Sequence, residues 1–259
     1  MSINPEELFS IHGNKTVITG GTAGIGLGVA KHFIAAGAEV IITGRRDSGA
    51  DIAAAIGATF VAMDVANAES LQAGLTQAAE HLGGSIDTLI LNAGTDLDAG
   101  SYENLDLDAY KALFDINVFA VAQGIRDGVP YMQAGGSVIV TSSPSGELAS
   151  PMLSAYSASK AAVNMIVKTA AIQLGPKNIR VNAVLPGIVE SEMSATTPGR
   201  GEMLQRLTSN GILRKAEEMG GTFHFLASMA SAPLTGGSVD SDDGIRAGIS
   251  MDVATRVFS

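Results

Sequence analysis

The sequence predicts an α/β fold, in which a doubly wound parallel sheet of about seven strands carries helices on both faces. Short, almost continuously apolar runs alternate with longer helical segments, which is typical of parallel strands that are buried on both sides. The 259 residues are 46% hydrophobic, which is enough for the core of one large domain. No stretch has the composition of an interdomain linker, so we expect residues 1–259 to form a single domain.

The strands and helices are predicted from these alternating segments. Apolar runs of strand length occur at residues 15–19, 39–43, 59–63, 88–91, 137–142 and 179–185, with a last one near Ser238. Helical segments follow them at residues 24–36, 51–56, 69–81, 107–131 and 154–174. A Gly-, Pro- and Thr-rich stretch around residues 194–201 breaks the alternation, and we expect a small mobile lid over about residues 190–212.

Charge and cysteine content exclude several classes of function. The formal net charge of −10 argues against binding to nucleic acid or to anionic membranes. The absence of cysteine excludes disulfides, thiolate metal sites and a cysteine nucleophile. The 4 histidines share no ligand spacing, so we expect no metal site. The N-terminus lacks a signal-peptide pattern and no apolar run is long enough to span a membrane, which favours a cytoplasmic protein.

A glycine-rich turn lies between the first predicted strand and the first long helix. Gly20, Gly24 and Gly26 follow the spacing T-G-x-x-x-G-x-G, with Thr22 and Ile25 between them. Small residues here let backbone N–H groups and the helix N-terminus approach a pyrophosphate. The alternative is a tight strand–helix turn that binds nothing, but a second motif further along the chain favours a nucleotide site.

That second motif is Tyr156-Ser-Ala-Ser-Lys160. A Tyr and a Lys four residues apart on a helix point in the same direction. A nearby ammonium group favours the phenolate, so the tyrosine becomes a usable proton donor and acceptor near neutral pH. Together with the nucleotide loop, this pair predicts a dehydrogenase or reductase.

The ordered motifs resemble those of the short-chain dehydrogenase/reductase family, in its compact single-domain branch. The resemblance covers about residues 13–244, and it implies a Rossmann-like, NAD(P)-binding domain. Besides the loop and the Tyr–Lys pair, the markers that follow one another in the family's order are Asp64-Val65, Asn92-Ala93-Gly94, Asn117, Ser143 and Pro186-Gly187.

The resemblance also implies how these residues would meet the cofactor. Asp64 and Val65 would contact the adenine ring. Asn92, Ala93 and Gly94 would lie beside the adenosine ribose and the adjoining strand end. Tyr156 and Lys160 would lie at the nicotinamide ribose. The nicotinamide carboxamide would be received by Pro186, Gly187 and Ile188, with the Ser191 hydroxyl nearby.

The end of the second predicted strand bears on the choice between NADP and NAD. NAD-specific sites usually carry an acid there, which accepts a hydrogen bond from the ribose 2′-hydroxyl. This chain has Gly44-Arg45-Arg46 instead. An arginine at this point pairs with a 2′-phosphate, so we predict NADP, with NAD as the alternative. Thr22 stands where many NADP-using relatives have a basic residue.

The resemblance implies a catalytic group of Asn117, Ser143, Tyr156 and Lys160, in which Ser143 has the family's spacing to Tyr156 and Ser142 is the competing choice. Ser143 and Tyr156 would orient a carbonyl oxygen. Tyr156 would donate the proton as hydride is transferred, with Lys160 stabilising the tyrosinate. Asn117 would hold a water that links Lys160 to solvent.

The expected substrate is a small carbonyl compound or alcohol, in a reaction of the EC 1.1.1 type. We expect Ser145, Met152 and Met193 to contact it. Family relatives usually assemble as homotetramers, and we expect the same here. The alternatives are an NAD-dependent alcohol or polyol dehydrogenase, a nucleotide-sensing protein without turnover, and an epimerase or dehydratase. The last needs a separate substrate domain, for which 259 residues leave little room.

Overall fold

A computed structural model describes residues 4–149, 153–190 and 200–258. Its main feature is a seven-stranded sheet in the order β3-β2-β1-β4-β5-β6-β9, in which each strand is parallel to its neighbours. This confirms the predicted fold class. The sheet strands are β1 Lys15–Ile18, β2 Glu39–Gly44, β3 Thr59–Ala62, β4 Ile86–Leu91, β5 Met132–Thr141, β6 Arg180–Pro186 and β9 Ser238–Ser241.

Ten α-helices occur in the described part of the chain. They are α1 Pro5–Phe9, α2 Gly24–Ala35, α3 Gly49–Ile56, α4 Ala68–His81, α5 Leu107–Phe114, α6 Ala120–Gly128, α7 Ser154–Leu174, α8 Arg200–Gln205, α9 Gly220–Ala227 and α10 Met251–Phe258. Two short strands, β7 Val189–Glu190 and β8 Arg214–Lys215, pair in parallel and form a separate small sheet. In the sequence they flank the segment that was expected to form a lid.

The predicted helix over residues 107–131 differs from the observed one in its middle. A π-helical turn, Asp115–Phe119, separates α5 from α6, and a 3₁₀ turn over Val129–Tyr131 follows α6. The π turn carries Asn117, whose side chain is buried. Single π turns inside longer helices are frequently found at functional sites.

Alternate strand residues build two apolar layers, one on each face of the sheet. Val17 and Leu89 point into the layer that contains α4, α6 and α7. Ile18 and Ile90 point into the opposite layer, which contains α2 and α9. Both members of each adjacent pair are apolar because helices cover both faces of the sheet. This is why the strands appear in the sequence as continuous apolar runs.

The topology fixes where a ligand can bind. The chain runs from β1 outward through β2 to β3 and then returns to β4 on the other side of β1. In open α/β sheets, the crevice at such a reversal, outside the carboxyl ends of the strands, is the usual ligand site. None of the described helices has the length and apolar character that crossing a membrane requires.

Candidate active site

The glycine loop lies at the carboxyl end of β1, at this reversal point. A Cβ on Gly26 would lie 2.4 Å from the Gly20 backbone oxygen, so a side chain there would disrupt the turn. Gly24 has φ +50°, and a Cβ there would meet nothing within 4 Å. The N-cap residue of α2, Ala23, provides no side-chain cap to the first N–H groups of the helix. The loop is therefore tightly packed at Gly26, while the space around Gly24 is open and the first N–H groups of α2 have no side-chain partner. This arrangement fits a pyrophosphate.

Asn92 and Thr19 hold this loop to the neighbouring strands. The Asn92 Nδ2 group donates to the backbone oxygens of Thr19 (3.1 Å) and Gly20 (3.3 Å). Its Oδ1 accepts from the Thr141 hydroxyl at 3.0 Å. The Thr19 hydroxyl accepts from the Asn92 backbone N–H at 3.0 Å and from that of Ala93 at 3.1 Å. Both ends of the Asn92 amide thus bind protein groups, so this residue positions the loop.

The end of β2 adjoins the glycine loop on one side. A Cβ on Gly44 would lie 2.9 Å from the Thr22 hydroxyl, so only glycine leaves room for this buried threonine. Arg45, which follows, is 68% exposed, and its guanidinium lies 3.9 Å from the Asp64 carboxylate. The structure therefore brings Thr22, Arg45 and Asp64 to the same edge of the crevice.

Ser143, Tyr156 and Lys160 meet at the carboxyl end of β5. The Ser143 hydroxyl lies close enough to the Tyr156 phenol to lower its pKa, and it accepts from the Ser145 backbone N–H at 3.2 Å. The buried Lys160 ammonium donates to the Thr141 backbone oxygen at 2.9 Å. It lies 5.5 Å from the centre of the Tyr156 ring. A hydroxyl, a phenol and an ammonium therefore share one small region.

The pKa values show that burial dominates the electrostatics of this group. Burial raises the pKa of Tyr156 above its ordinary value; the hydrogen bond with Ser143 opposes this, and the Asp96 carboxylate adds to it. Burial also lowers the pKa of Lys160 to about 8. The expected effect of the ammonium on the phenol is thus outweighed by desolvation in this structure. Tyr156 is protonated at neutral pH, which is the form that a proton donor needs.

Asn117 lies between this group and the loop after β4. Its Oδ1 accepts from the Thr95 backbone N–H, and its Nδ2 donates to the Thr95 oxygen, each at 2.8 Å. The same Nδ2 donates to the Ser159 hydroxyl at 3.2 Å. A Cβ on Gly94 would lie 3.3 Å from Asn117 Oδ1 and 3.7 Å from Lys160 Nζ, so these two atoms flank one point. Oδ1 retains an acceptor site for a water.

The competing serine, Ser142, has a different position. Its hydroxyl donates to Asn164 Oδ1 on α7 at 2.6 Å, and the residue is buried. It therefore connects β5 to α7, while the next residue, Ser143, is the one close enough to Tyr156 to affect its pKa.

Some predicted contacts lie at other strand ends or outside the described residues. Gly187 and Ile188 follow Pro186 at the end of β6, where a Cβ on Gly187 would lie 2.7 Å from the Asp242 Cα. Val65 lies at the opposite side of the crevice and packs on the core. Ser191 and the expected substrate residues Met152 and Met193 fall outside the described ranges. Ser145 lies in the 3₁₀ turn that follows Ser143.

Several positioning residues have no local signal in the sequence. Thr19, Thr141 and Ser159 act through hydrogen bonds to groups far away in the chain. The segment after β9 also contributes, since Asp243 accepts from Arg214 and Arg246 pairs with Glu147, next to the turn after Ser143. In the described part of the chain, no group of three His, Asp or Glu residues is arranged to hold a metal ion.

Known proteins share this architecture along nearly the whole chain. A family model described as enoyl-(acyl carrier protein) reductase matches residues 20–246. The NADP-dependent (R)-specific alcohol dehydrogenase of Lentilactobacillus kefiri is 34% identical over 248 residues, covering 92% of this chain and 98% of that protein. The trans-4-hydroxycyclohexanecarboxylate dehydrogenase of Sinomonas cyclohexanicum is 35% identical over 246 residues, covering 90% and 92%. A solved short-chain dehydrogenase from Burkholderia cenocepacia, in complex with NADP, matches with a TM-score of 0.83 at 30% identity, covering 91% and 99%.

These similarities and the site geometry both indicate that the protein is a dehydrogenase or reductase that uses a nicotinamide nucleotide. The chain belongs to the short-chain dehydrogenase/reductase family. It is an oxidoreductase that acts on alcohols or carbonyl compounds with NAD(P).

Proposed function

We propose that the enzyme catalyses NADP-dependent, reversible hydride transfer between the nicotinamide and a small carbonyl compound or secondary alcohol. The observation that carries this proposal is the meeting of Ser143, Tyr156 and Lys160 at the end of β5, in the same crevice as the glycine loop. The expected architecture is one domain over residues 1–259, with a lid at about 190–212.

The cofactor would be held by groups along this crevice. The loop from Gly20 to Gly26 would hold the pyrophosphate, and Asp64 and Val65 would contact the adenine. Lys160 and Tyr156 would bind the nicotinamide ribose, with the backbone around Gly187 at the carboxamide. When bound, the nicotinamide supplies or accepts the hydride.

The remaining chemistry belongs to the protein. Ser143 Oγ and Tyr156 Oη orient the substrate oxygen, and Tyr156 gives its proton to that oxygen as the carbonyl is reduced. The Lys160 ammonium stabilises the tyrosinate that results. The free acceptor site of Asn117 would hold a water that returns a proton toward Lys160. Alcohol oxidation follows the same steps in reverse.

The tyrosine is tested by comparing Tyr156→Phe with a matched control, Tyr102→Phe, because Tyr102 is 75% exposed. We expect Tyr156→Phe to lower kcat by about 10²-fold or more, the usual contribution of general acid catalysis. The Kd for NADPH should stay close to the wild-type value. Turnover that persists in Tyr156→Phe would contradict the proposal.

The preference for NADP rests on Arg45 and Arg46, which follow β2 where a 2′-phosphate would lie. The NADP dependence of the Lentilactobacillus enzyme and the NADP bound in the Burkholderia structure also support it. We expect NADPH to bind at least tenfold more tightly than NADH, about 1.4 kcal/mol, in fluorescence titrations in one buffer. Tighter binding of NADH would favour the alternative, an NAD-dependent alcohol or polyol dehydrogenase. Cofactor binding without turnover on any ketone or alcohol would favour a nucleotide sensor.

We further propose a homotetramer in which α6 and α7 pack against other subunits. Large apolar side chains are exposed on this side, with Met165 at 58%, Ile172 at 79% and Phe119, in the π turn before α6, at 60%. Exposed apolar patches often mark interfaces between subunits. Sedimentation equilibrium should give four times the chain mass, and a monomer mass would overturn the assignment.

A further inference from the structure

The segment from Asp240 to Arg246, here called the C-terminal clamp, contacts three parts of the site. It begins in β9 and continues past the end of the sheet. The first contact is with the loop after β6, where the nicotinamide would bind. The Gly187 backbone N–H donates to the Ser241 oxygen at 2.9 Å, and a Cβ on Gly187 would lie 2.7 Å from the Asp242 Cα.

The second contact is with Ser209 and Arg214, at the C-terminal end of the expected lid segment, here called the lid base. Arg214, in β8, donates to the Asp243 carboxylate through Nε at 3.0 Å and Nη2 at 2.7 Å. The Ser209 N–H and hydroxyl both donate to the Asp243 backbone oxygen at 2.8 Å. Asp243 has φ +50°, a conformation that asparagine and aspartate tolerate better than most residues. The lid base is therefore attached to the clamp through one side chain and one carbonyl.

The third contact is with the turn that carries Ser143. The Arg246 guanidinium pairs with both Glu147 and Asp240. Glu147 directly follows the 3₁₀ turn Pro144–Gly146, for which Ser143 is the N-cap. Glu147 Oε1 also accepts from Asn164 Nδ2 on α7 at 3.5 Å. Arg246 thus reaches the proton-donor group through the turn beside it.

We propose that Arg246 is a positioning residue for the hydride-transfer site, because its guanidinium ties the turn that carries Ser143 to the C-terminal clamp. This inference rests on the proposed function for its catalytic consequence. Through Asp242 and Asp243, the same clamp ties that turn to the nicotinamide loop and the lid base. The C-terminal clamp thereby fixes the relative positions of the substrate, the cofactor and the proton donor.

Charge explains why the guanidinium matters. The carboxylates of Glu147 and Asp240 both lie within reach of one Arg246 side chain, which is only 25% exposed. Asp242 is buried nearby and accepts from the Arg246 backbone N–H at 2.8 Å. A neutral residue at 246 would leave these like charges facing one another without their shared cation. Repulsion should then move Glu147, and with it the serine turn, away from the clamp.

The experiment compares Arg246→Gln, Arg246→Lys, Glu147→Gln and the double variant Glu147→Gln/Arg246→Gln. The control is Arg256→Gln, which removes an arginine from a surface pair on α10. Amide hydrogen exchange in peptides covering residues 143–149 reports on the turn without any turnover. We expect Arg246→Gln to exchange faster there and to lose about tenfold or more in kcat, since small misplacements at a reacting centre cost up to about 10²-fold.

The other variants distinguish positioning from general stability. Arg246→Lys should restore most of the protection, and the double variant should exchange more slowly than Arg246→Gln because one facing carboxylate is gone. The Kd for NADPH should change by less than about threefold, well under 1 kcal/mol. The proposal is overturned if exchange over 143–149 matches that of Arg256→Gln, or if it rises equally across the whole chain. If the wild-type enzyme shows no reductase activity, the proposed function fails, while hydrogen exchange still decides the role of Arg246.

Discussion

Replacing Lys160 by methionine should make the protein more stable while abolishing turnover. The ammonium is buried, and burial lowers its pKa from 10.5 to about 8. Each pKa unit corresponds to about 1.36 kcal/mol, so keeping this charge at pH 7 costs the folded state about 3 kcal/mol. The variant also loses the hydrogen bond to the Thr141 oxygen, which costs about 1–3 kcal/mol when a buried acceptor is left unpaired. We therefore expect a net gain of about 1 kcal/mol at pH 7.

The pH dependence separates the charge from the packing. The folded-state pKa of this basic group is lowered, so between pH 8 and 10.5 the unfolded chain binds more protons than the folded one. The contribution of Lys160 to the free energy of unfolding of the wild-type protein therefore rises with pH between 8 and 10.5. The advantage of Lys160→Met should be largest near pH 7, fall to zero near about pH 9, and become a disadvantage by about pH 10.5, where only the lost hydrogen bond remains.

Urea unfolding of both proteins at several pH values between 7 and 10 measures this difference. Lys111→Met is the matched control, because Lys111 is 71% exposed on the helix surface. If the stability difference between Lys160→Met and the wild type stays constant from pH 7 to 10, the reasoning is refuted, because only the buried charge makes this difference depend on pH. A large loss of stability at every pH would show that the hydrogen bond outweighs desolvation.

Three further substitutions test other parts of the structure. Asp96→Asn removes a carboxylate that raises the pKa of Tyr156, so the pH midpoint of alcohol oxidation should move to lower pH; an unchanged midpoint contradicts this. Thr88→Val removes a buried hydroxyl that has no hydrogen-bond partner among the described residues, and urea unfolding should show a gain of about 1 kcal/mol rather than a loss. Gly26→Ala places a Cβ 2.4 Å from a loop backbone oxygen. Such overpacking costs about 1–3 kcal/mol, so the Kd for NADPH should rise about tenfold, whereas Gly221→Ala, which has open space, should leave it unchanged.

The sheet could be predicted because its signal is local. Neighbouring residues such as Val17 and Ile18 pack into opposite layers and are both apolar, so each strand is visible as a short run. Helix α9 is absent from the predicted elements because it begins with Gly220 and Gly221, which are poor helix formers. Packing of the buried Phe223 against the core overrides that preference.

Residue spacing alone predicts only the part of the site whose members are close in sequence, and Asn117 and Ser143 are identified through the family resemblance. The spacing of Tyr156 and Lys160 places them on one helix face, and the structure has them near each other. The pairing of Glu147 with Arg246 joins distant parts of the chain, and no local pattern indicates it. The raised pKa of Tyr156 likewise depends on how deeply the folded chain buries the phenol, which spacing alone does not reveal.

The position of β9 in the sheet has a consequence for synthesis on the ribosome. β9 is an outer strand and pairs with β6, and residues 187–237, which include α8 and α9, lie between the two strands in sequence. Until residues 238–241 emerge, β6 presents an open edge that other nascent chains could join. The clamp is translated in the same interval, so the order of translation delays both protection of the sheet and assembly of the site. The chain therefore keeps an exposed strand edge until the last part of the site has been synthesised.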